Sequence, residues 1–372
     1  MNEKIFLLGC WNKNACLDKG TKDGRLEVIN LLSKEPKQYN FGILLGDNIY
    51  PLKLSKQSKR SVKRFSLNTK TSFSLATKTK TKFSLRTKTK TKKPKKIKKF
   101  LTESSIYYDK IKRIANDISL DDIKLHVILG NHDVEKQCVK NHQISKFMSN
   151  SSIIYKNNEI FETENAVFLM LNTNNISNII YFLEEFDISM LKDRWLLICG
   201  HEPLYSYKPK KKKLFQKLKD VSSIFNAIYE LNYNKLAYLC ADTHNFQILE
   251  LGEYSAERDF CFPIVVVGTG GANPDTLSNI ESNKEYYDEE TRLYSSIKNY
   301  EDPFGFVEMD ITKNKLIVNY KKCGSVNKTT INFNSNKQLT YKNEYFDEDC
   351  DMLEPLCKYI DQDKNLLEIC TD

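Results

Sequence analysis

A chain of 372 residues, 40% of them apolar, can bury a core as one large domain or two small ones. No run approaches the ~20 consecutive apolar residues that span a bilayer. The opening MNEKIFLLGCWNK also lacks the longer apolar core and small-residue cleavage site of a signal peptide, so the expected setting is intracellular, cytoplasmic or nuclear, with no membrane partner. The net charge of +9 is uneven: residues 52–100 hold 19 Lys and Arg and no acidic residue, which leaves −10 on the rest.

In chain order, IFLLG (5–9) reads as a first strand. Four more apolar runs follow, each ending in a short polar motif: FGILL before GDNIYP (46–51), LHVIL before GNHD (130–133), WLLIC before GHEP (200–203) and LAYLC before ADTHNFQ (241–247). Runs of this length, rich in Ile, Leu and Val and cut off by Gly or Ala, predict buried strands. Polar groups at the ends of such strands sit on a rigid scaffold and face solvent, which suits catalysis.

Between GDNIYP and GNHD lies an internal repeat, FSLNTKTS (65–72), FSLATKTKTK (73–82) and FSLRTKTKTK (83–92), followed by a further Lys-rich stretch to 100. One Phe and one Leu per unit cannot offset the ordering entropy, so a disordered insertion is expected. It serves either as a basic arm for nucleic acid or another polyanion, or as a repeat expansion without a role.

Helical spacing predicts helices over 105–119, 179–194 and 215–233, and KPKKKK (208–213) reads as a solvated loop. FPIVVVGTGGANPD (262–275) predicts a strand and a Gly-rich turn. FGFVEMDITKNKLIVNYKKCG (304–324) predicts a hairpin turning at Lys313-Asn314. Strands interleaved with helices, followed by a hairpin, give a layered α/β sandwich in one catalytic domain of about 270 residues. That domain comprises 1–51 and 101–325, interrupted by the insertion 52–100 and followed by an acidic C-terminal extension, 326–372. The ten cysteines show no CxxC pair and no regular framework, so disulfides are not expected, and Cys199 and Cys240 read as small hydrophobes.

Each chemical residue alone has an ordinary explanation. Asp47 could be a turn residue, Tyr50 packing, and His201 a satisfied core histidine. Yet three of the five histidines, His132, His201 and His244, fall in strand-end motifs, whereas His126 and His142 read as structural or surface residues. Asn131 offers a hard neutral oxygen, and Asp242 and His244 alternate so that both can project toward one point.

The order GDNxY, GNHD, GH and xxxHN resembles the calcineurin-like metallophosphoesterase superfamily, closest to its purple acid phosphatase-like branch, over about residues 4–322 without the insertion. The resemblance implies a four-layer α/β/β/α sandwich with two mixed sheets. It also implies a centre of two divalent or trivalent metal ions (iron, zinc or manganese) that hydrolyses phosphomonoesters or phosphodiesters through a metal-bound hydroxide. Carried over by motif, Asp47 bridges the metals, Tyr50 and His244 bind the first, and Asn131 and His201 bind the second. Asn131 and His132 face the substrate phosphate, with His132 helping to protonate the leaving group. Two positions depart from the pattern: Cys10, in GCWNK, stands where the family has a carboxylate, and Asp242 stands where it has the first His of GHxH. Both can still coordinate, thiolate favouring zinc or iron and carboxylate favouring manganese or magnesium. The alternative is a catalytically degenerate relative that binds phosphorylated or nucleic-acid ligands.

Overall fold

Apolar runs buried on both faces form the centre of two eight-stranded mixed sheets in a computed structural model of the protein. The described residues are 2–11, 24–34, 39–48, 123–135, 140–141, 144, 151, 153–208, 213–216, 218, 220–253, 260–275, 285–301, 304–323, 326–334 and 339–346. The insertion, the helix expected over 105–119, Tyr50 and His142 lie outside them.

In the first sheet, β1 (Glu3–Leu8), β2 (Phe41–Leu45), β3 (Lys124–Ile128) and β4 (Ile153–Ile154) run parallel. On the other side of β1 the order continues antiparallel through β15 (Gly305–Thr312), β16 (Lys315–Lys322), β17 (Val326–Asn334) and β18 (Leu339–Phe346). The second sheet has β6 (Ala166–Met170), β7 (Trp195–Cys199), β10 (Leu236–Cys240) and β12 (Cys261–Val267) in parallel. It is flanked by β5 (Glu159–Glu162) at one edge and by β11 (Phe246–Glu253), β14 (Leu293–Glu301) and β13 (Glu285–Asp288) at the other. A separate hairpin pairs β8 (Tyr205–Lys208) with β9 (Lys213–Gln216).

Three cores make this a four-layer α/β/β/α sandwich. Ile5, Leu7, Ile43 and Val307 of the first sheet meet Phe168, Leu197, Leu239 and Val265 of the second. The outer face of the first sheet, Phe6, Leu8, Leu44 and Val127, is covered by Val28, Ile29 and Leu32 of the helix Gly24–Lys34. The outer face of the second sheet, including Leu169, Ile198 and Ile264, packs on the helices Ile176–Glu184 and Val221–Glu230. Each fully buried Leu or Ile contributes about 2 kcal/mol, so the strand positions are set by burial and the loops at their ends are free to carry chemistry. No helix among the described residues is long and apolar enough to cross a membrane.

Several local expectations change. The helix expected over 179–194 ends at Glu184, and a separate 3-10 turn, Ile188–Leu191, begins where the Asp187 carboxylate accepts from the Ser189 amide at 2.9 Å. The helix expected over 215–233 spans only Val221–Glu230, because residues 213–216 pair as β9. The basic run at 208–213 is not simply a solvated loop: Lys208 closes β8 and Lys213 opens β9. The first sheet also runs on through β17 and β18, past the boundary expected at 325.

Candidate metal centre

The polar motifs share one register. Cys10, Asp47, His201 and Asp242 each lie two residues beyond the last residue of β1, β2, β7 and β10. Three of them adopt left-handed backbone, with φ of 52° at Cys10, 53° at Asp47 and 58° at Asp242. L-residues seldom adopt that conformation, so all three positions are held there by their surroundings. The two sheets converge here: a Cβ on Gly9 would lie 2.4 Å from Ala241 Cβ and 2.5 Å from the Val267 carbonyl. The Gly-rich turn locks the convergence, since Gly270 N donates to Gly9 O and Ala272 N to Cys10 O.

On the first sheet, one buried network joins three motifs. Trp11 Nε1 donates to Asn48 Oδ1 at 3.0 Å, and Asn48 Nδ2 donates to Ile128 O and to Asp133 Oδ2. Asp133 Oδ2 also accepts from the Asn48 and Gly130 amides at 3.1 and 2.7 Å. This anchors the short helix Asn131–Val134 against the turn that carries Asp47, and His132 N donates to Asp47 Oδ1 at 3.1 Å. Gly130 makes the approach possible, because a Cβ there would lie 2.3 Å from Asp47 Oδ1.

From the second sheet, His201 enters fully buried. Its Nδ1 lies 2.7 Å from the Leu45 carbonyl and therefore carries the hydrogen of that bond. Its Nε2 faces Asn131 Oδ1 at 3.1 Å, Asp47 Oδ1 at 3.3 Å and Asp242 Oδ1 at 3.8 Å. His244 is oriented the same way: Nδ1 lies 3.0 Å from Asn273 O, and its amide donates to Asp275 Oδ2. A histidine whose Nδ1–H is held by a carbonyl presents Nε2 as a ligand.

Cys10, Asp47 and His244 bring one donor atom each within 4.8 Å of one another. Asp47 is 1% exposed, and its Oδ2 has no hydrogen-bond partner. A buried carboxylate oxygen without a donor is costly unless a cation takes it. The residues present therefore fit a bound cation at Cys10, Asp47 and His244, and the oxygens gathered around His201 Nε2 form an adjacent second set. Burial alone would raise the Asp47 carboxyl pKa and lower that of His201. Their opposed charges and mutual hydrogen bond outweigh it, holding Asp47 below and His201 above the usual range. Burial pushes the Cys199 and Cys240 thiols upward, in keeping with apolar roles.

The fold thus gathers Cys10, Asp47, Asn131, His201, Asp242 and His244 at one end of the sandwich. His132 lies at the mouth, its Nδ1 3.2 Å from Glu135 Oε2. His126 is elsewhere, a buried residue of β3 whose ring stacks on Phe161 at 3.8 Å between centroids. Sequence reasoning missed two features. Asp133 stood inside GNHD and its role could have been sought there. Lys208, whose Nζ lies 3.6 Å from Asp242 Oδ2, was hidden in a run of lysines.

No protein-family model matches the chain, and no curated protein does. Among solved structures, that of PhoD is similar, with 11% identity over 94% of this chain and 72% of its own, at a TM-score of 0.51. A Vps29 single mutant from Entamoeba histolytica (8% identity, covering 92% and 99%, TM-score 0.31) and Vps29 from Cryptosporidium parvum (8%, 93% and 99%, 0.34) are more distant in shape. The likeness to PhoD is one of fold: two mixed sheets between helices, the metallophosphoesterase sandwich.

Proposed function

We propose that the chain is a metal-dependent phosphoesterase of purple acid phosphatase-like type, acting on phosphomonoesters or phosphodiesters at the strand-end centre. The observation that carries this reading is Asp47, whose Oδ1 faces His201 and the His132 amide while Oδ2 is buried without a hydrogen-bond donor. Cys10, Asp47 and His244 would hold one cation. Asp47, Asn131, His201 and Asp242 would hold a second, with Tyr50 a further candidate for the first.

Bound cations would neutralise phosphoryl charge and acidify water. The protein's own groups supply the rest. The Nδ1–H bonds to Leu45 and Asn273 fix the two histidines. Asp133 and Asn48 fix the turn that carries Asp47. His132, partly exposed and 3.2 Å from Glu135, would contact the phosphate with Asn131 and deliver a proton to the leaving oxygen.

The test is hydrolysis of p-nitrophenyl phosphate and its diester by protein reconstituted with zinc, iron or manganese, with metal content measured and Asp47→Ala as the control. Turnover above the control in any metal form supports the reading. Protein that retains metal and shows no turnover above the control in all three forms overturns the enzyme reading for this class of substrate.

A further inference from the structure

Lys208 is placed by a buried polar network rather than by chance. β8 is tied to the ADTHNFQ loop twice over. Tyr207 N donates to Gln247 Oε1 and Gln247 Nε2 donates back to Tyr207 O, both at 2.9 Å, and Gln247 Nε2 also reaches Asn245 Oδ1. Ser206 Oγ meets Thr243 Oγ1 at 2.7 Å, and Ser206, Thr243 and Gln247 are all fully buried. Side chains two apart on a strand share a face. Ser206 on Thr243 therefore directs Lys208 toward the neighbouring Asp242, where its Nζ stands 3.6 Å from Oδ2.

Asp242 gives that corner a carboxylate where the resembling family has an imidazole. An anionic substrate approaching the centre would meet this added negative charge. Lys208 offsets it, and its side chain, 30% exposed, reaches the site from the solvent side. An ammonium is a compact charge with three rotatable donors, so it can serve Asp242 and a further anion together.

We propose that Lys208 is a substrate-binding residue of this centre, its ammonium receiving non-bridging oxygens of the phosphoryl group while Asp242 holds it in place. The inference rests on the phosphoesterase reading for the identity of the substrate, and its geometry is independent of turnover.

The test is calorimetric titration of the full-length, zinc-loaded chain with inorganic phosphate, repeated for Lys208→Gln and Lys208→Arg with metal content measured in parallel. Loss of a charge-assisted contact should weaken phosphate binding about ten- to a hundred-fold in Lys208→Gln, with metal content unchanged and most of the affinity kept in Lys208→Arg. Unchanged phosphate affinity in Lys208→Gln overturns the proposal. So does a weakening matched by metal loss, which would confine Lys208 to supporting Asp242. In the hydrolysis assay, Lys208→Gln should raise KM more than it lowers kcat. Lys208-dependent phosphate binding in a chain without turnover keeps this site and removes the phosphoesterase reading; turnover with phosphate affinity and KM unchanged in Lys208→Gln does the reverse.

Discussion

His201 Nε2 lies 3.3 Å from Asp47 Oδ1, and this contact spans the two sheets, since His201 follows β7 and Asp47 follows β2. With Nδ1 committed to Leu45, Nε2 shares its surroundings with three oxygens that can only accept or coordinate. Such a cluster is stable only around positive charge.

Cys10→Asp restores the carboxylate that the resembling family has at this position, and Asp tolerates the left-handed backbone found there. Replacing a soft thiolate with a hard oxygen should lower the bound Zn:Mn ratio. The change expected is about tenfold or more, the size of effect that even supporting groups have on metal affinity. Dialysis against equimolar zinc and manganese, followed by metal analysis, measures it; an unchanged ratio would place Cys10 outside the coordination sphere.

Gly130→Ala puts a methyl group 2.4 Å from the Asp47 amide and 2.7 Å from His201 Cε1. The backbone there, at φ −84°, accepts any residue, so the effect is one of crowding alone. Overpacking of this kind costs about 1–3 kcal/mol. Denaturant melts should show that loss, and metal titration should show weaker binding, because the displaced group is Asp47 itself.

Asp133→Ala strands the Gly130 and Asn48 amides, both of which donate to Oδ2. Two buried donors without partners should cost about 3 kcal/mol or more. Asp133→Asn, which keeps an acceptor oxygen, should cost less. Equal losses in the two variants would show that shape rather than hydrogen bonding holds the turn.

His126 gives a pH signature away from the strand-end motifs. Burial lowers its pKa from 6.5 to about 4, with Glu159 only partly opposing. The unfolded chain therefore binds a proton between those values that the folded chain does not, so stability falls as pH drops through 6.5 toward 4. The full loss from this residue is about 3 kcal/mol. His126→Phe can keep the stacking on Phe161 and should shrink the difference in unfolding free energy between pH 7 and pH 4.5 by most of that amount. An undiminished difference would assign the pH dependence to other groups.

The central strands and the polar motifs at their ends were legible because both are local. FGILL, WLLIC and LAYLC carry no charged or strongly polar side chain, and LHVIL only His126, since each strand is covered on both faces. Asp47, Asn131, His201 and His244 announce themselves by following such runs. What sequence reasoning missed depends on pairing at a distance. Lys208 looks like its lysine neighbours until Gln247, 40 residues away, is seen to bind Tyr207. Phe215 and Gln216 fall within a stretch whose apolar spacing suits a helix, and only pairing with β8 makes them part of a strand. β17 and β18 are polar sequences that become strands by extending an existing edge.

Left-handed turns at Cys10, Asp47 and Asp242 carry a further consequence. Each non-glycine residue held there sits in a conformation costing of order 1 kcal/mol that a glycine would relieve. The strand ends are thus optimised for presentation at the expense of the empty protein's durability. A cation that bound these side chains would act as a folding partner, and a form loaded with it should outlast the stripped form on heating.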